Sequence, residues 1–176
     1  WHLDGAVAFD DIRIERAQPV YRTQEGLTLG AGERLSGNRY EFRAPFNGES
    51  RNQARSLLSF QCHFNTNRWV FGRGSDVIYR HRLEGRRQQE AYVATAVGYH
   101  TGGVLVVEVS TDGQRWRELG RADGLGPVEG DVPADLLPAE AVFVRLRALG
   151  ADELGDDSDP GSFQIRSYAY EATVDG

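Results

Sequence analysis

Lysine and methionine are absent from this 176-residue chain, and cysteine occurs once, as Cys62. A single cysteine excludes an intramolecular disulfide framework and a multi-cysteine zinc site. No apolar run reaches the roughly 18 residues that a membrane-spanning helix needs. There are only 6 prolines against 21 glycines, so turns are frequent without low complexity. Hydrophobic residues at 40% and charged residues at 26% argue against disorder. The length suits one domain, 1–176, around one core. A chain that starts at Trp1 and lacks methionine is expected to be a module excised from a larger protein.

All basic charge is arginine, 20 residues against 26 acids, for a net charge of −6. Arginine used throughout in place of lysine is what a GC-rich genome produces. Its guanidinium also matches carboxylate and sulfate groups bidentately. The charge is unevenly placed. Residues 34–90 hold eleven arginines and five acids, whereas 112–160 hold twelve acids and five arginines. The acidic total disfavours general nucleic-acid binding, and the basic stretch suits an anionic ligand.

Alternation of period two recurs along the chain. Leu58, Phe60, Cys62 and Phe64 fall on one face of a strand, and Ser59, Gln61 and His63 on the other. Val77, Tyr79, His81 and Leu83 oppose Ile78, Arg80 and Arg82. Ala91, Val93, Thr95 and Val97 continue the pattern, and Val142, Val144 and Leu146 oppose Phe143, Arg145 and Arg147. The run 104–109 is apolar on both faces up to Glu108, as in an internal strand. The run 162–174 changes phase near Arg166-Ser167, which predicts a bulge. Only 133–137 reads as a short helical turn. About nine to eleven strands with such spacing predict an all-β antiparallel sandwich of jelly-roll type.

Thr111-Asp112-Gly113-Gln114 is the clearest turn, because Asp and Gly tolerate the backbone that tight hairpins need. Trp116 on the return strand is either a core anchor or a stacking platform for a sugar. The stretch 108–120, in which Ser110-Thr111-Asp112-Gly113 returns through Trp116, resembles a hairpin of the galactose-binding-like β-sandwiches. These include discoidin-type domains and many carbohydrate-binding modules. The run 142–147 is similar to a strand that follows in that group. The run 5–12, with its paired Asp10 and Asp11, is similar to one near the end of many jelly-roll modules. The resemblance implies a superfold, and function still has to come from sites.

The candidate ligand-binding residues are of the types that hold sugars. Asn65, Asn67, Arg68 and Trp69 combine hydrogen-bonding groups with an aromatic face. They equally suit a plain strand-turn-strand with Trp69 packed inside. Tyr79 and His81 form a second candidate pair, and Tyr99 and His100 a third. Asp156, Asp157 and Asp159 supply closely spaced oxygens for calcium. Asp10, Asp11 and Glu171 would supply another calcium site if the two ends of the chain pair. Cys62, on an apolar face, is expected to be an inert thiol.

These residues lead to a non-catalytic carbohydrate-binding module of a secreted bacterial protein. Its expected partners are a polysaccharide, anionic in one version, and neighbouring domains, with a structural calcium and with no nucleic acid or membrane span. Two alternatives stay open. One is a structural or adhesion sandwich that binds no sugar. The other is a jelly-roll polysaccharide lyase using His63, Tyr79, Arg80 and His81 for charge neutralisation and proton transfer.

Overall fold

A computed structural model describes residues 21–24, 26–46, 54–155 and 161–175. Fourteen strands run through the described residues. The first four are β1 (Arg22–Gln24), β2 (Leu27–Leu29), β3 (Glu33–Ser36) and β4 (Arg39–Arg43). Next come β5 (Leu57–Phe60), β6 (His63–Asn65), β7 (Arg68–Phe71), β8 (Asp76–Arg82) and β9 (Gln88–His100). The last five are β10 (Leu105–Ser110), β11 (Arg117–Ala122), β12 (Gly126–Asp131), β13 (Ala141–Ala148) and β14 (Phe163–Val174). Among the described residues helical structure is confined to a 3-10 turn, Ala134–Leu136, where a turn was expected, and to α1, Ala151–Leu154.

The strands form an antiparallel sandwich. The smaller sheet has the order β11-β10-β13-β8-β5. The larger has the order β12-β9-β14-β4-β3, with β7 on β14 and β6 on β7. Beside them β1 and β2 form a two-stranded ribbon. Alternation in the sequence becomes alternation in burial: Val142, Val144 and Leu146 of β13 face the core, as do Val93 and Val97 of β9. The 111–114 turn is held by side chains. Ser110 Oγ accepts from the Gly113 N–H at 2.9 Å, and Asp112 Oδ1 accepts from the Gln114 and Arg115 N–H groups at 2.8 Å each.

Aromatic rings fill the space between the sheets. Tyr79 and Tyr168 stack at 4.1 Å, and His81 lies flat on Tyr170 at 3.8 Å. Most polar atoms buried with them find partners, as their desolvation requires, although His81 Nδ1 has none among the described residues. Trp69 Nε1–H donates to the Tyr79 hydroxyl at 2.9 Å. His81 Nε2 and the Tyr168 hydroxyl are 2.7 Å apart. The buried Glu33 carboxylate receives Tyr40 Oη–H at 2.6 Å, Arg55 Nε–H at 2.8 Å and the Gly30 N–H. Burial alone would raise the Glu33 pKa, but the Arg55, Tyr40 and Gly30 hydrogen bonds outweigh it and lower it.

Two expectations need correction. The run 58–64 is not one strand. The chain breaks at Gln61-Cys62, so β5 joins the smaller sheet and β6 the larger, and Leu58 and Phe60 are exposed. Trp116 is neither core anchor nor free platform. It lies half-buried with the Arg145 guanidinium 4.4 Å from its ring.

Candidate functional site

Three of the predicted sugar-binding residues are walled off. Trp69, Tyr79 and His81 are 0%, 1% and 0% exposed, so their rings have no face for a sugar. Their positions have a simple cause: each alternates into the core on its strand. This removes Tyr79 and His81 from the lyase proposal as well, since a buried pair cannot reach a polymer. The shared cluster with His63 and Arg80 does not form, because Arg80 points to the opposite side of β8 from His81. Cys62 is half-buried, and burial followed by the charge of Asp76 pushes its thiol pKa up to about 12, which keeps it protonated.

Asn65, Asn67 and Arg68 form the β6–β7 turn, closed by Thr66 in the left-handed region at φ 57°. Tyr99 is 45% exposed near the end of β9, whereas the His100 ring folds back to the Gly103 carbonyl at 2.9 Å. Glu171 lies on the outer face of β14 between two cations, 2.6 Å from Arg39 and 3.6 Å from Arg43. That pairing does not suit the expected calcium ligand. Asp10, Asp11, Asp156, Asp157 and Asp159 lie outside the described residues. Among the described residues no group of three metal-ligating side chains converges.

A concavity lies on the outer face of the larger sheet. A groove of about 650 Å³ there is lined by Arg39, Glu90, Tyr92, Asp131, Leu137, Glu171 and Thr173, among others. Strand register explains how they meet. Asp131, Tyr92, Glu171, Glu41 and Arg34 are consecutive partners across β12, β9, β14, β4 and β3. The next row on the same face is Glu129, Ala94, Ala169 and Arg43, and the row beyond is Pro127, Ala96 and Ser167. The middle of the face is thus floored by alanine and serine, flanked by acids on β12 and arginines on β4. Desolvation, the Glu129 hydrogen bond and the charges of Glu129, Asp131 and Glu171 raise the Tyr92 phenol pKa.

Two bulges extend this face. The β9–β14 register shifts between Gln164 and Ile165 and again between Ile165 and Ser167, as the phase change at 166–167 predicted. Gly98 is the extra residue on β9 and Arg166 the extra residue on β14. Gly98 leaves room for the Arg166 side chain, whose guanidinium donates to the Gly98 carbonyl; a Cβ at Gly98 would collide with Arg166 Nε. The shift also turns Tyr99 outward beside Gln164.

No protein-family model and no curated protein matches the chain by sequence. Solved structures do share its outline. One is CBM29_1, a family 29 carbohydrate-binding module from Piromyces equi, at 11% identity and TM-score 0.44, covering 88% of this chain and 91% of that one. A second is TmCBM61, solved with β-1,4-galactotriose, at 11% identity and TM-score 0.36, covering 73% and 80%. A third is a CBM4 structure at 12% identity and TM-score 0.35, covering 77% and 85%. The site described above owes nothing to these likenesses.

Sequence reasoning missed Tyr92, Glu129, Asp131 and Arg166. The signal was present in β9, where the residues opposite Ala91, Val93, Thr95 and Val97 are Tyr92, Ala94 and Ala96. Outward positions that are small and uncharged, next to an aromatic, mark a face left open.

Proposed function

We propose that this chain is a non-catalytic carbohydrate-binding module that takes a polysaccharide on the outer face of its larger sheet. The observation that carries this reading is the groove, lined by Tyr92 and hydrogen-bonding side chains, together with the adjoining rows of the same face, where Ala94, Ala96 and Ala169 leave the sheet open. A sugar ring offers C–H surface to an aromatic ring and hydroxyls to carboxylates and guanidiniums. An extended open face admits a chain segment of a polymer, whereas small-molecule sites are enclosed and mostly apolar. Acids outnumber arginines along the groove wall, so its own ligand is an uncharged stretch of the polymer. Affinity gel electrophoresis through neutral and uronate-rich polysaccharides tests the proposal. Retarded migration in at least one gel is expected. Unretarded migration of folded protein in every gel would favour the structural or adhesion module.

A further inference from the structure

We infer that the opposite end of the same face is a subsite for an acidic group, a carboxylate or sulfate carried on the polysaccharide. This deepens the glycan-binding proposal and depends on it. The end is built by four strands. Tyr99, Gln164, Val70 and His63 are consecutive partners across β9, β14, β7 and β6. Arg166 on β14 and Arg68 on β7 each adjoin the Ile165–Trp69 pair along their strands, on the same side of it, with Asn65 paired to Arg68.

The arginines here differ from those of the groove. Arg39 is held by Glu41 at 2.9 Å and by Glu171 at 2.6 Å. Arg68 and Arg166 have no carboxylate partner among the described residues, and Arg166 bonds only a backbone carbonyl. Shielded polar atoms sit unsatisfied beside them. Neither Arg68 Nε nor Gln164 Oε1 has a hydrogen-bond partner among the described residues. Such atoms in a native fold call for an explanation, and a donor on β7 and an acceptor on the adjoining β14 match an acid oxygen and a hydroxyl in kind. Guanidinium forks bind carboxylate and sulfate with charge-assisted, paired bonds. Tyr99, half-exposed at the same place, adds a ring against which a sugar can lie. Between Gln164 and Glu171 seven strand steps span roughly 23 Å, so one polymer segment can reach both ends.

Matched polymers that differ only in charge test this. The pairs are methyl-esterified against de-esterified homogalacturonan for carboxylate, hydroxyethyl- against carboxymethyl-cellulose for the same group on another backbone, and dextran against dextran sulfate. The expected result is at least ten-fold tighter binding to the acidic member of one pair, weakening with salt. Arg68→Gln with Arg166→Gln should abolish that preference and leave binding to the neutral member unchanged. Arg166→Gln alone, at an exposed position, should reduce the preference several-fold without affecting folding. Neutral and acidic members bound equally, or a preference unaltered in the double variant, would overturn the subsite while leaving the groove proposal standing. No binding to any polymer would remove both.

Discussion

The two outer faces of this sandwich spend their charges differently. On the smaller sheet the charged side chains around β10, β11 and β13 neutralise one another. Glu108 on β10 receives Arg145 Nε–H at 2.6 Å and lies 3.4 Å from Arg147, which also reaches Glu153 at 2.6 Å. Glu118 and Arg121 pair on β11. These long arms and the Trp116 ring cover the strands beneath, so even the outward residues Val106, Glu108 and Ser110 are buried. On the larger sheet the central outward residues are Ala94, Ala96, Ala169 and Ser167, too short to cover anything. Asp131 there has no cationic partner among the described residues. A face that satisfies itself contributes to stability, while a face that leaves groups unsatisfied has something to offer a ligand.

Filling the open face should break the contrast most severely. Ala169→Trp puts a bulky ring on the open face beside the groove, and glycan retention should vanish while the melting temperature changes little. Unchanged retention in affinity electrophoresis would move the site elsewhere. Tyr92→Ala comes next, with binding weakened about ten-fold, the usual scale for truncating an aromatic anchor. Titration calorimetry measures it, and a loss below two-fold would contradict the stacking role. Glu108→Ala probes the closed face. It strands the half-buried Arg145 guanidinium, while Arg147 keeps Glu153, and should cost about 1–3 kcal/mol in denaturant unfolding, with no change in glycan retention. A variant that folds normally but binds less would erase the distinction between the faces.

The smallest effect concerns the core between them. Burial, reinforced by the charge of Arg55, holds the His81 pKa well below its ordinary value. The unfolded chain therefore takes a proton below about pH 6.5 that the folded chain refuses. Stability should fall as pH drops below that point, by up to about 1.4 kcal/mol per pH unit. Glu33 acts in the same direction further down. Its folded pKa is depressed, so its contribution, present above the ordinary carboxylate range, is lost as pH falls through its lowered folded value. His81→Phe should flatten the profile between about pH 5 and 6.5. It should also cost about 1–3 kcal/mol at pH 8, because the Tyr168 hydroxyl loses its partner. An unaltered acid slope in that variant would refute the role of His81.

The fold was legible wherever one side of a strand meets the core. The alternations of β8, β9 and β13, the internal β10, the Asp112-Gly113 turn and the bulge at Arg166 all follow from local pattern. The candidate site was legible only in part, because polar and aromatic residues near one another in sequence attract attention whichever way they face. Trp69, Tyr79 and His81 drew notice for their chemistry, yet their phase on the strand points them inward. Asn65, Arg68 and Tyr99 stayed at the surface, but their neighbours Gln164 and Arg166 come from a strand 65 or more residues further along the sequence. The groove is assembled from β4, β9, β12 and β14 by long-range pairing. No local motif encodes that order, so Tyr92, Asp131 and Arg39 could not be joined before the register was known.

The most direct test of the central claim is to titrate isotope-labelled protein with the polysaccharide retained in electrophoresis, following backbone amide shifts by NMR. The account predicts shifts concentrated at Tyr92, Ala94, Ala169 and Thr173, with those of Glu108, Phe143 and Arg145 unmoved. Shifts clustered on the smaller sheet, with the larger sheet silent, would contradict it.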